Sequence, residues 1–349
     1  MSYNKYYLYK KQVSNDNGQT WEDVTPLETV PSGDVIATYD TLAECESGST
    51  DYSKQYLTFV AEGGNCTFTF TPNNSSLIYY SLNSGSTWTQ GTAVTVSSGN
   101  KVMWKGEMTP NSGIGRFSGS TGSFHVEGNA MSLLYGDNFE GQTSLSGKDY
   151  AFKNLFSGCT TVTSAENLVL PATTLTEGCY EGMFKGCTSL TTAPVLSATT
   201  LEYWCYDGMF IGCTSLTTAP QLPATTLAQG CYNGMFSGCT SLTTAPSVLP
   251  ATTLANWCYQ GMFKGCTSLT TAPELPATTL TNWCYDGMFS GCTSLNYIKC
   301  LATNISASYC TYYWVSGVSS SGTFVKDSNM SSWSSGASGI PTNWTVQNA

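Results

Sequence analysis

A chain of 349 residues with a formal net charge of −10 and only 10% charged side chains has length for two or three domains. An acidic, sparsely charged exterior argues against nucleic acid or anionic membrane as partner, since both need basic patches. No apolar run reaches the roughly 18 residues of a transmembrane helix, so membrane insertion is not expected.

Residues 1–50 open with MSYNKYYLYKKQV, which lacks the apolar core and small-residue cleavage site of a secretory signal. The chain is therefore expected either to be mature or to leave the cell by another route, for instance within a virus particle after lysis. SNDNGQTW at Ser14–Trp21 shares S-x-(D/N)-x-G-x-T-W with SLNSGSTW at Ser81–Trp88. Both resemble the Asp-box turn of sialidase-type propellers, which implies a hairpin turn with glycine at positive φ and tryptophan packing beneath. Two copies cannot build a propeller, so the reading is structural. Residues 1–50 are expected to form an attachment segment, and homo-oligomerisation would run through it.

Residues 51–147 read as β. YLTFVAEG, NCTFTFT, SLIYYSLN, AVTVSSG, NKVMWKG and GSFHVEG are short alternating or β-branched runs between Gly, Asn and Ser turns. Six or seven such runs in about 90 residues predict a small antiparallel β-sandwich.

From 148 to 310 the chain repeats about every 26 residues, marked by Cys159, Cys187, Cys213, Cys239, Cys266 and Cys292. The inner repeats read GCTSLTTAP, then LPATTL or LSATTL, then CYxGMF; the first and last are degenerate, as end caps require. Self-similarity at this period predicts stacked repeats with a continuous core, and residues 311–349 a closing β cap. In CYEGMFKGC, Tyr180, Phe184 and Cys187 fall at i, i+4 and i+7, the spacing of a two-turn helical or 3₁₀ segment with one apolar face. Leu190, Ala193 and Leu196 in SLTTAPVL predict a short strand ended at Pro194. Eleven of the fifteen cysteines occupy repeat positions. If the intervening segment is helical, the two of one repeat stand about 12 Å apart along the axis, beyond the roughly 7 Å that a bridge tolerates. Buried thiol ladders are the reading, with bridges between repeats the alternative. With His125 the lone histidine, a zinc site is not expected.

The recurring MFxGCTSL string, over about residues 148–307, resembles the BspA-type leucine-rich repeats of surface and adhesin proteins from gut bacteria and their phages. The resemblance implies a mixed β/α leucine-rich-repeat solenoid with short helices, preceded here by the small antiparallel β-sandwich. It also implies an extracellular, virion-associated or cell-surface protein that recognises a glycan or another protein. The closing segment resembles the irregular β cap that follows such arrays in gut bacteria and their phages, and the opening resembles, much more weakly, the leaders of phage or prophage tail-associated proteins. A phage tail or fibre component, an exported adhesin for host mucin or matrix, and a purely structural subunit all fit.

Positions that vary between repeats are free to carry binding chemistry. Trp204, Trp257 and Trp283 share one column with Gly178 and Gly230. With Tyr203, Asn256 and Asn282 beside them, these tryptophans form the candidate ligand-binding set: an indole stacks on a sugar ring while an amide bonds its hydroxyls. The alternative is that the indoles only fill space a glycine leaves open. Paired threonines, such as Thr191-Thr192 and Thr243-Thr244, predict a hydroxyl ladder at strand spacing, or simply residues that suit strands. Glu181, Asp207 and Asp286 lack the closely spaced oxygens of a calcium loop. Nothing singles out a nucleophile, a phosphate loop or a carboxylate pair, so neither catalysis nor a cofactor is expected.

Overall fold

The computed structural model describes residues 50–74, 77–110, 112–330 and 333–349, with four two-residue strands before them. It divides into two compact units, Met1–Lys54 and Gln55–Ala349. In the first, β1 (Tyr3–Asn4) pairs antiparallel with β4 (Thr38–Tyr39), and β2 (Gln12–Val13) with β3 (Glu22–Asp23). The β2–β3 pair brackets Ser14–Trp21; that box, Cys45 and the expected attachment segment otherwise lie outside the described residues.

The second unit is mostly β. Its long strand β5 (Leu57–Thr69) starts fully buried at Leu57, Thr58 and Phe59 and then alternates, with Ala61 buried between the more open Val60 and Glu62, the period of a half-buried strand. Around it stand β6 (Thr71–Pro72), β7 (Ile78–Ser81), β8 (Thr89–Gln90), β9 (Ala93–Val96), β10 (Lys101–Gly106), β11 (Gly115–Arg116) and β12 (Thr121–Asn129). One end of β5 pairs with β10 and the other with β9, while β12 runs antiparallel along its far edge. The β12 register shifts around Gly122, whose φ is 81°. A Cβ there would stand 2.6 Å from Cys66 Sγ, so the bulge needs glycine. The sheet has seven strands, and its last, β13 (Asn167–Val169), belongs to the repeats and pairs parallel with β12. The sequence predicts a self-contained sandwich. Instead the layer facing the sheet comes from the β6–β11 pair and the start of the repeats: Phe59 packs 4.7 Å from Phe117 and 5.8 Å from Phe156. The Ser81–Trp88 box is the β7–β8 turn, with Gly85 at φ 83° and Asn83 Oδ1 accepting from the Thr87 amide at 3.0 Å.

Between 150 and 317 the expected short helices do not form; among the described residues the only α-helix is α1 (Ser132–Tyr135). The CYxGMF segments are ribbons of overlapping turns. Alternate amides bond within the ribbon, as Glu181 to Gly178 O at 3.0 Å and Lys185 to Gly182 O at 3.0 Å. The amides between them cross to the next repeat, as Tyr180 to Cys205 O at 2.9 Å and Phe184 to Met209 O at 2.8 Å. Every fourth residue sits at positive φ (Gly178 56°, Gly182 60°, Gly186 73°), which an α-helix cannot absorb. A four-residue ribbon places i and i+4 on one side much as a 3.6-residue helix does, so the apolar spacing is shared. In the inner repeats the predicted strands shrink to single parallel bridges, such as Thr200–Thr226 and Thr218–Thr244.

Stacking makes the core. Tyr180, Tyr206, Tyr232, Tyr259 and Tyr285 form one aromatic ladder, with Tyr180–Tyr206 centroids 5.5 Å apart; Phe156, Phe184, Phe210, Phe236, Phe263 and Phe289 form another, with Phe184–Phe210 at 5.6 Å. Each buried ring contributes about 1.5–3 kcal/mol, with about 0.5–1.5 kcal/mol more for ring geometry. Both ladders end on Trp314, which donates its indole N–H to Gly339 O at 2.8 Å. Beyond it, β14 (Tyr297–Cys300), β15 (Thr323–Lys326) and β16 (Thr345–Asn348) form a parallel sheet.

The fourteen described cysteines are free thiols and all are buried. Those that follow the ribbon share a hydrogen bond: Cys187, Cys213, Cys239 and Cys266 each donate Sγ–H to a phenylalanine carbonyl of the preceding repeat at 3.1 Å. A small apolar side chain that still offers a weak donor is what this position needs. Burial pushes the thiols up, Cys179 and Cys239 to about 12.

Candidate functional site

The tryptophan column coincides with one of the positive-φ columns of the ribbon. Reading along the stack, φ is 57° at Tyr150, 56° at Gly178, 55° at Trp204, 64° at Gly230, 56° at Trp257, 60° at Trp283 and 56° at Tyr309. Glycine fits such a position freely, whereas a side chain there costs about 1–2 kcal/mol. A bulky residue at positive φ is an outlier whose cause has to be sought in its surroundings.

The surroundings divide the column. A Cβ on Gly178 would lie 2.3 Å from the Tyr150 ring, and one on Gly230 2.3 Å from the Trp204 ring. In these repeats each aromatic ring lies over the glycine of the next, and the glycine is required for space as well as for φ. Farther on no glycine intervenes. Trp283 stacks on Tyr309 with centroids 4.2 Å apart and planes 19° from parallel. Tyr309 meets Tyr312 edge to face at 5.4 Å, and Tyr312 stands at 90° to Tyr313 at 4.5 Å. These three tyrosines are 53%, 44% and 49% exposed. Tyr313 is itself at positive φ, 48°, in the column that Gly261 and Gly287 occupy in earlier repeats. A Cβ on Gly261 or Gly287 would find no atom within 4 Å, so the surface beside this aromatic corner is open.

The remaining candidates have definite places. Tyr203 is exposed and its carbonyl accepts from the Gly178 amide at 2.9 Å. Asn256, half-buried, accepts through its carbonyl from Gly230 at 3.0 Å. Asn282 is exposed, and its Oδ1 accepts from the Ser308 amide at 2.9 Å. Next to the column runs a row of polar side chains bonded across repeats: Asn233 donates to Asp207 Oδ1 at 2.8 Å and Gln260 to Asp286 Oδ2 at 2.6 Å. Burial lifts the Asp207 carboxyl to about 6 despite the Asn233 bond. Trp257, Trp283 and Asn282 thus belong to the end of the column that leads to the tyrosine corner, while Tyr203 and Trp204 belong to the ring-over-glycine part. Tyr309, Tyr312 and Tyr313 escape the sequence reading because the last repeat is degenerate. The signal was present: Cys310 continues the cysteine ladder, which sets Tyr309 in register with Trp283.

Other surfaces carry less. Thr191 Oγ1 donates to Thr163 O at 2.9 Å and Thr243 Oγ1 to Thr217 O at 3.2 Å, so these hydroxyls serve the stack. His125 Nδ1 lies 2.8 Å from Glu62 Oε1 on the outer face of the sheet, near a Lys101–Glu127 ion pair of 2.7 Å. A cleft of about 550 Å³ lined by Tyr79, Trp88, Lys105, Glu107 and Asp137 is crossed by the Lys105–Asp137 ion pair at 2.6 Å. Among the described residues no three His, Cys, Asp or Glu side chains gather as metal ligands, and no helix is long and apolar enough to cross a membrane. Comparisons with protein-family models, with curated proteins and with solved structures find no match.

Proposed function

We propose that this chain is a non-enzymatic adhesin or receptor-binding protein whose 148–310 repeats form a leucine-rich solenoid of the BspA type, and that the turn-ribbon face reads a cell-surface glycan or protein. The observation that carries this reading is the exposed aromatic corner, Tyr309, Tyr312 and Tyr313, in which the positive-φ column ends. Four bulky residues, Trp257, Trp283, Tyr309 and Tyr313, stand where the ribbon geometry favours glycine and where other repeats use it. Local strain of this kind persists where another interaction rewards it, and clustered, partly exposed aromatic rings are the commonest anchors of recognition surfaces. The repeats below supply a rigid platform, as a preorganised site needs. A phage tail or fibre component, outside the cell, is the setting that fits the resemblance and the acidic, sparsely charged composition; an exported adhesin for mucin or matrix is the alternative. Fluorescently labelled protein incubated with capsulated and acapsular gut anaerobes, and with host mucin, separates them. Capsule-dependent labelling lost in Trp257→Ala/Trp283→Ala supports the receptor-binding reading, mucin binding alone supports the exported adhesin, and no labelling of any surface would contradict recognition altogether.

A further inference from the structure

We propose that Tyr309, Tyr312 and Tyr313, backed by Trp283, form a subsite for a neutral pyranose ring, an inference that rests on the recognition reading above and names its ligand class. Three features of the corner point to a sugar and not to an extended peptide or a polyanion. First, the rings meet at right angles, Tyr309 with Tyr312 at 89° and Tyr312 with Tyr313 at 90°. Two perpendicular faces can hold a chair-shaped ring, one against its apolar face and one against its edge; a flat aromatic ligand would use only one. Second, the rim is polar. The tyrosine hydroxyls both donate and accept. Asp286, one repeat before Tyr312, receives Gln260 on Oδ2, and its Oδ1 is an acceptor for a sugar hydroxyl. Carbohydrate recognition pairs a stacked face with such in-plane hydrogen bonds. Third, none of Trp283, Asp286, Tyr309, Tyr312 or Tyr313 is basic, so a sialylated, uronated or sulfated ring would bring an anion to Asp286 without compensation.

The backbone supports the same assignment. Trp283 and Tyr309 cover each other, which gives each a packing reason for its place. Tyr313 meets the exposed Tyr312 ring edge to face, is 49% exposed, and stands at φ 48° where Gly287 serves in the repeat before. A glycine would satisfy the fold there, and the phenol is what a ligand would gain.

The test is an array of neutral hexose and N-acetylhexosamine oligosaccharides and neutral polysaccharides (mannan, galactan, dextran, β-glucan), beside sialylated and sulfated counterparts, probed with the full chain. Tyr312→Ala and Tyr309→Gly/Tyr313→Gly are assayed in parallel, with thermal melts of each. The expected result is binding to a neutral glycan, weakened at least about tenfold in both variants, with melting of Tyr312→Ala within a few degrees of the parent. Binding only to anionic glycans, or neutral binding that both variants retain, overturns the subsite. If no glycan binds but cells are still labelled, recognition stands and the sugar subsite falls; if neither occurs, both fall.

Discussion

The two ends of the aromatic column put the same backbone conformation to opposite uses. At Tyr150–Gly178 and Trp204–Gly230 a ring closes over a glycine, and the pair behaves as one filled position. At Trp257, Trp283 and Tyr309 rings follow one another without a glycine, and the column opens into an exposed corner at Tyr312 and Tyr313. Strain by itself therefore does not mark function, because Trp204 shares it. What separates the two ends is exposure: Tyr150 and Trp204 are half-buried, whereas Tyr309 and Tyr313 stand open to solvent.

That difference sets the size of several effects. Gly230→Ala must displace the Trp204 ring as well as adopt φ 64°. A loss of about 2–5 kcal/mol is expected, from about 1–2 for the backbone and about 1–3 for overpacking. Gly261→Ala has open space and should lose only the backbone part, about 1–2 kcal/mol. Urea midpoints of the two variants break the comparison if they coincide.

Asp207→Asn addresses the polar row beside the column. The folded carboxyl titrates at about 6 against 3.8 for the ordinary group. Between those values the folded chain holds a proton that the unfolded chain has released. Asp207 therefore costs the fold stability as pH rises from about 4 through 6, and the full cost is present at pH 7. The asparagine variant should gain up to about 3 kcal/mol at pH 7 and nothing at about pH 3.5; equal gains at both values would assign the effect elsewhere.

For Tyr313→Gly a melting temperature equal to or above that of the parent is expected, because the exposed phenol is exchanged for the residue its backbone prefers, at a gain of about 1 kcal/mol or less after glycine's own entropy. A fall of several degrees would show that the corner supports the fold. The smallest effect belongs to the core. The Tyr259 hydroxyl is buried without a partner among the described residues, so Tyr259→Phe should change stability by no more than about 1 kcal/mol, and upward.

Much of this architecture was legible in the sequence. The recurrence of Cys187, Cys213 and Cys239 with Phe184, Phe210 and Phe236 fixes which side chains share a ladder, and the structure stacks them in that order. The local conformation reads as helical because Tyr180 and Phe184 are four residues apart in either geometry. The glycines are the better witness: Gly178, Gly182 and Gly186 recur at intervals of four, and helices do not tolerate positive φ at each turn. Cross-repeat hydrogen bonding by alternate amides, which ties the ribbon to its neighbour, leaves no mark on residue type. For the candidate surface, the column of Trp257 and Trp283 is visible as a variable position among invariant ones. Its extension into Tyr309 and Tyr313 is hidden by the decay of the repeat string after Cys292.

The most direct measurement sets the two ends of the column against each other in a single binding experiment. Labelled parent protein, Tyr150→Gly/Trp204→Gly and Tyr309→Gly/Tyr313→Gly are titrated onto the capsulated cells that the parent labels best. The expected outcome is that the first variant labels with parental affinity at temperatures where it remains folded, and that the second loses about tenfold or more. Loss of labelling by the first variant with retention by the second would contradict the account, placing recognition on the closed end of the column and leaving the open corner without a ligand.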